Sequence, residues 1–373
     1  MDKSGWTYKR LDEVCDKGSS NVVINKLDSN EGNYPLFGAS GIVKSIDFYH
    51  QDKPYIGIVK DGSGVGRVNI YPAYSALVGT MQYILPKDGE QLKYIKYFLE
   101  KLDLSHLVTG AAIPHIYFKD YGKKIIPLPS KETQKQIVEE LDAINESIDL
   151  LQQQAKDLDV LAQSIYYDMF GDPIDNPKDW NEEQLGGICE VSSAKRVFIE
   201  EVVDSGIPFI RGTELTALNK LARGEKMNYT LFITKEHYEK LKAITGVPKV
   251  GDLLIPSINS EGIVWQVDTE DPLYFKDGRV LWVHVNEDKF ESDFLQKTIS
   301  ILIRHIFSSM NGATFAELKL FVLRDLMIPV PPLSVQQSFS DQIEVIENAK
   351  YDIRLQIADM QNLLASRMQY WFD

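Results

Sequence analysis

The chain has 373 residues, 44% of them apolar, enough for two domains of ordinary size with a core in each. No apolar run reaches the roughly 18 residues of a membrane span. The opening MDKSGWTYKR lacks the apolar stretch of a secretory signal, so a cytoplasmic protein away from membranes is expected.

In chain order, residues 1–130 read as short strands broken by Gly and aromatic turns, as in KPYIGIVKDGSGVGRVNIYPAYSALVGTMQYIL, followed by a helix at LKYIKYFLEKLDL. Residues 131–172 read as one long helix, ended by the Gly and Pro of FGDPIDNPKDW. Residues 173–333 return to short strands, as in GDLLIPSINSEGIVWQVDTEDPLYFKDGRVLWVHV, and a helix at SDFLQKTISILIRHIF. Residues 334–373 read as a second long helix. Prolines precede each long helix, Pro127–Pro129 and Pro329–Pro332, and hold the chain extended there. Ser130 or Thr133, and Ser334, are placed to cap.

The net charge of −14 argues against a polyanionic ligand until it is divided along the chain. Residues 131–175 hold 3 basic and 11 acidic side chains, and residues 333–373 hold 3 and 6, whereas residues 1–130 hold 16 and 14. The acidity is concentrated in the two helical segments, and the globular parts are close to balance.

The chain repeats itself. Trp6, Leu11 and Cys15 align with Trp180, Leu185 and Cys189 at an offset of 174. Gly110, Pro127, Gln134 and Phe170 align with Gly312, Pro329, Gln336 and Phe372 at an offset of 202, so the second copy carries 28 extra residues. In between, Ile58 aligns with Ile255, Val68 with Val267, and Met81–Leu85 with Leu281–Val285. Matching ends around a divergent middle suit one scaffold carrying two different reading heads. The two cysteines have no metal-type spacing; each reads as a buried thiol within its own copy. The expected class is α+β: two mixed α/β domains in a tandem, pseudo-two-fold repeat.

In the first helix Ile137, Leu141, Ile144, Ile148, Leu151 and Leu158 lie on a heptad-like apolar stripe. In the second Phe339, Ile343, Ile346, Ile353, Ile357 and Leu364 do the same, interrupted by Lys350. Two narrow stripes over about four heptads predict that the helices pair as an antiparallel coiled coil. The alternative is that each lies on its own domain. A pseudo-dimer of this kind matches duplex DNA, whose half-sites are spaced by helical turns.

The turn DGSGVGR (Asp61–Arg67) fits neither phosphate-loop nor dinucleotide spacing. It reads as a β-turn whose small residues let backbone approach DNA. Candidate DNA contacts in the first head are Lys44, Lys60, Ser63 and Arg67. In the second they are Lys195, Arg196, Arg211, Thr213, Arg223, Asn259, Ser260 and Arg279. The shared loops TGAAIPHI (109–116) and NGATFAEL (311–318) read as domain-closing scaffold, with His115 and Thr314 within reach of a DNA backbone. No catalytic constellation is present: there is no adenine-methylation box, nucleophile elbow or metalloprotease pair, and the six histidines are scattered. No metal site and no catalytic residue is expected.

Pro127-Leu128-Pro129 with Gln134 and Gln136, Pro329-Val330-Pro331-Pro332 with Gln336 and Gln337, and the helix after each resemble the specificity (S) subunits of type I restriction–modification systems, over essentially the whole chain. The family often places Glu before Gln; here Thr133 and Val335 stand there. The resemblance implies two target-recognition domains, each reading one half of a bipartite, asymmetric site in double-stranded DNA. It implies that the helices set the spacer and dock two methyltransferase (M) subunits, joined by restriction (R) subunits. S-adenosylmethionine, ATP and Mg then belong to those partners and no cofactor to this chain. Two other readings are a stand-alone DNA-binding regulator and a coiled-coil adaptor for proteins.

Overall fold

The structure is a computed structural model that describes residues 3–110, 114–221, 223, 225–309 and 317–373. The first half runs β1 (Thr7–Arg10), α1 (Leu11–Val14), β2 (Cys15–Ser19), β3 (Tyr34–Gly38), β4 (Gly41–Ile46), β5 (Tyr55–Val59), β6 (Val68–Tyr71), β7 (Ala76–Leu77), β8 (Met81–Pro86), α2 (Leu92–Lys101), α3 (Phe118–Tyr121), β9 (Ile125–Leu128) and α4 (Lys131–Phe170). The second runs β10 (Glu182–Gln184), α5 (Leu185–Ile188), β11 (Glu190–Ser193), β12 (Ile207–Ile210), α6 (Gly212–Leu218), β13 (Phe232–Ile233), α7 (Lys235–Thr245), β14 (Leu253–Pro256), β15 (Trp265–Gln266), β16 (Tyr274–Phe275), β17 (Val280–His284), α8 (Ser292–Ser309), α9 (Leu320–Arg324), β18 (Met327–Pro329) and α10 (Leu333–Phe372).

Among the described residues the order of strands in every sheet is duplicated. A four-stranded sheet has the order β2-β8-β5-β6 in one half and β11-β17-β14-β15 in the other. A three-stranded sheet is β4-β3-β7 and then β13-β12-β16, with β3–β7 and β12–β16 parallel. The pair β1-β9 returns as β10-β18. Most of the 28 extra residues of the second copy lie between β12 and β14, the stretch that holds α6 and α7, which have no counterpart among the described residues between β3 and β5. Pairing corrects the alignment at two places: Ile58 faces Gln82 and Ile255 faces Leu281, so Leu281 matches Gln82 and not Met81, and Ile56 faces Ile70 where Leu253 faces Gln266, so Val68 matches Val264 and not Val267.

Each four-stranded sheet is covered by an amphipathic helix. Helix α2 buries Tyr94, Ile95 and Phe98, and α8 buries Phe294, Leu295, Thr298 and Ile299, at the 3–4 residue spacing of one helical face. Compact units are Met1–Leu151 with Gln356–Asp373, and Gln152–Leu355. The boundaries of these units fall inside the long helices, because both ends of each helix are built into a core. In the first unit Ile137 and Leu141 of α4 share a cluster with Ile56, Ile84, Phe98 and Phe372. In the second, Tyr166 and Phe170 share one with Leu253, Phe294 and Phe339.

Within the second unit, Lys350 pairs with Asp159 and Gln342 with Met169, so the two helix segments run antiparallel. In the first unit Glu140 binds Arg367 and accepts from Trp371 Nε1 at 2.9 Å. Of the stripe residues, Ile137, Leu141, Ile144, Ile148, Phe339 and Ile346 are buried; Leu151, Leu158, Ile343, Ile353, Ile357 and Leu364 are half-buried. Lys350 sits in the stripe with its charge bonded to Asp159 and Glu347 at 2.8 Å each, which makes a cation tolerable there.

The proline–glutamine motif has a structural reason. The Gln134 amide donates to the Pro129 carbonyl at 3.0 Å. Gln336 donates to Pro331 and Lys289 carbonyls at 2.8 and 2.9 Å and accepts from Glu291 N–H at 2.9 Å. A buried amide thus ties each helix start to the loop before it. Ser130 caps α4 through Thr133 N–H at 3.1 Å. Ser334 does not cap: α10 begins at Leu333, and the Pro332 carbonyl receives the first N–H groups. Gly171, at φ +80°, ends α4, where an L side chain is strained.

Candidate nucleic-acid interface

Strand pairing gathers one set of loops at one edge of each domain. In the first domain β5 ends at Val59 opposite Met81, where β8 begins, and β2 ends at Ser19 opposite Gln82. In the second, Pro256 ends β14 opposite Val280, and Ser193 ends β11 opposite Leu281. Residues 60–67 and 78–80 therefore share an edge in the first domain, as do 194–196, 257–262 and 276–279 in the second.

In the first domain the glycine turn is rigidly built. Gly62, Gly64 and Gly66 take φ of +83°, +83° and +91°, open to glycine at little cost. Gly62 N–H donates to Pro114 O at 3.0 Å and Gly66 N–H to Val59 O at 2.8 Å. Arg67 folds back on its own turn, Nε to Gly64 O at 3.3 Å. Lys60 is 3.5 Å from Asp61, whose carboxylate holds His115 Nδ1 at 2.6 Å. Lys60, Ser63 and Arg67 are thus brought together. Lys44 is not with them: it lies within β4 with its amine on the carbonyls of Leu27 and Asp28, where it pins a loop.

In the second domain Lys195, Ser260 and Arg279 are exposed at the edge, and Arg279 pairs with Glu317 at 3.1 Å. Arg196 pairs with Asp277 at 2.9 Å. Arg211 and Thr213 follow β12 but are engaged locally: Arg211 grips the Glu214 carboxylate at 3.0 and 2.7 Å, and Thr213 donates to it at 3.0 Å. Asn259 is buried, and its amide exchanges two hydrogen bonds with the Ile263 backbone, at 2.7 and 2.6 Å. Both polar ends of the Asn259 side chain are thus engaged within its own loop, which they shape. Arg223 lies apart from the edge, bonded to Asp293 of α8 at 2.5 Å beside a groove of about 670 Å³. Thr314 lies outside the described residues. Among the described residues no acidic, His or Cys cluster could hold a metal, and no helix is long and apolar enough to cross a membrane.

The Arg211 guanidinium, with Thr213 and backbone N–H groups, holds the Glu214 carboxyl down at about 2, against an ordinary 4.5. A depressed carboxyl stabilises the fold fully above its unfolded value, and that contribution is lost as pH falls from about 4.5 toward 2. Glu214→Gln is expected to lower the denaturant midpoint of the second unit at neutral pH and to flatten its decline between pH 5 and 3.

Sequence reasoning missed Tyr117, Lys119, Glu317 and Lys319, which flank the edge loops. Tyr117 is 49% exposed, stacked on His115 at 6.4 Å with the Lys119 amine 5.1 Å from its ring. Glu317 also accepts from Ser257 at 3.3 Å and pairs with Lys319. The signal was available: these residues occupy the shared 202 offset and differ in type between the copies.

Comparison with known proteins matches the geometry. The family model for the type I restriction modification DNA specificity domain matches twice, over residues 3–159 and 177–359. A Haemophilus influenzae protein assigned as a type I restriction enzyme specificity subunit is 24% identical over 356 residues, covering 92% of this chain and 88% of its own. The MjaVIII specificity subunit of Methanocaldococcus jannaschii is 23% identical over 317 residues, covering 77% and 71%. The crystal structure of the type I S subunit from M. genitalium superposes with a TM-score of 0.55 at 17% identity, covering 99% of this chain and 96% of the other. With one specificity domain in each half and the same duplicated fold, the chain belongs to the type I restriction–modification DNA specificity subunits.

Proposed function

We propose that the chain reads a bipartite, asymmetric site in duplex DNA, one half per domain, for methyltransferase and restriction subunits that carry out the chemistry. The observation that carries this reading is that one strand order presents edge loops of different composition in the two halves. A shared scaffold with unlike side chains suits two unlike half-sites. S-adenosylmethionine, ATP and Mg are assigned to the partner subunits, and the long helices to fixing the unread spacer. Six aliphatic side chains on those helices support partner docking: Leu150, Val160, Leu161, Val345, Leu355 and Leu363 are between 43 and 68% exposed. The regulator and adaptor readings predict no stable complex with methyltransferase subunits. Co-expression with the cognate methyltransferase subunit, followed by purification and mass measurement, tests this. A complex of one specificity chain with two methyltransferase chains is expected; a chain that purifies alone overturns it.

A further inference from the structure

We propose that each domain reads its half-site through one built platform at matched positions, and that the side chains at those positions, not the glycine turn as such, decide which bases are read. This rests on the DNA-reading function above.

The platform is held by the same two backbone hydrogen bonds in both copies. Lys60 N–H donates to Thr80 O at 3.0 Å, and Ser257 N–H to Arg279 O at 2.9 Å. Ile116 N–H donates to Lys60 O at 3.0 Å, and Leu318 N–H to Ser257 O at 2.7 Å. Ile116 and Leu318 are buried at 2 and 3% exposure. In extended chain, neighbours of an inward residue face outward. His115 and Tyr117 are therefore displayed in one copy, and Glu317 and Lys319 in the other. Glu317 and Arg279 bond to each other across the platform, as His115 and Asp61 do in the first domain.

The displayed chemistry differs in kind. The first platform is a stacked Tyr117–His115 pair with a lysine over the tyrosine ring, suited to apolar contact with thymine methyls at the base edges. In the second, Arg279 is oriented by a carboxylate, and a guanidinium so held is a donor fork for guanine O6 and N7. Arg279 is the base-reading residue; Glu317 is a positioning residue.

The test uses the specificity chain in complex with its methyltransferase subunits, on duplex libraries varied at every base pair of the wild-type motif. Arg279→Ala is expected to lose roughly 5- to 150-fold discrimination at one G·C pair of one half-site, leaving the other half-site as strict as before. Tyr117→Ala is expected to relax only the opposite half-site. Glu317→Gln, which keeps a side-chain oxygen toward Arg279, retains the guanine preference that Glu317→Ala loses. A wild-type motif unaltered by Arg279→Ala and Tyr117→Ala overturns the platform alone, as does uniform weakening of both half-sites. A wild-type complex with no bipartite motif overturns the functional reading together with the platform.

Discussion

Phe372→Ala is expected to destabilise the first unit by about 3–5 kcal/mol while leaving the second unit unchanged, although Phe372 is one residue from the end of the chain. It is 5% exposed, with its ring 5.1 Å from Tyr94 and 5.9 Å from Phe98 of α2. Removing it opens a cavity among residues fixed by the sheet, which cannot collapse to fill it. Its partner by the 202 offset, Phe170, is 2% exposed and lies 4.5 Å from Phe294 and 5.4 Å from Phe339. Phe170→Ala is expected to cost the second unit a similar amount and the first nothing. The helix that leaves each copy ends in the core of the other unit, so each mutation acts on the copy that did not begin its helix. Hydrogen exchange read segment by segment checks this: Phe372→Ala lowers protection in β2, β5 and β8, and Phe170→Ala in β11, β14 and β17. Equal loss in both units for either variant would contradict the assignment.

Asp252→Ala is the second large effect, about 3–5 kcal/mol, since four donors lose their acceptor at once. Asp252 is fully buried just before β14. Its carboxylate accepts from Trp282 Nε1 at 2.9 Å, from Lys249 N–H at 3.0 Å and from Val285 N–H at 3.3 Å, and contacts His284 Nδ1 at 3.0 Å. One side chain thereby ties the start of β14 to the end of β17. Denaturant unfolding followed by far-UV circular dichroism measures the cost. The site lies at the strand ends opposite the reading edge, so where the variant is folded its base preferences are expected to match the wild type. A variant as stable as wild type would show that those donors find other acceptors.

Much of the architecture was legible because it depends on periodicity and repetition. The 202 offset located both long helices, and the apolar stripe picked out residues that are buried or half-buried, Lys350 included. Which core receives the far end of each long helix was not legible, because a helix pattern shows where a helix starts and not where its end packs. The strand alignment slipped by one residue at Met81 and by three at Val68, since a continuous apolar run carries no period to fix register. Among the candidate contacts, residue type alone could not separate an edge arginine such as Arg279 from Arg211, which caps a helix through Glu214. Nor could it separate exposed Ser260 from Asn259, whose amide closes its own loop. Those distinctions depend on which side chains already have partners, and partners are set by tertiary structure.

The most direct measurement is the methylation pattern that the chain imposes with its methyltransferase subunits in a host lacking other adenine methylation. N6-methyladenine is expected in a single bipartite motif, two unlike specified segments separated by a fixed unspecified gap. Methylation in one continuous motif, or a formed complex that methylates without sequence preference, would contradict it.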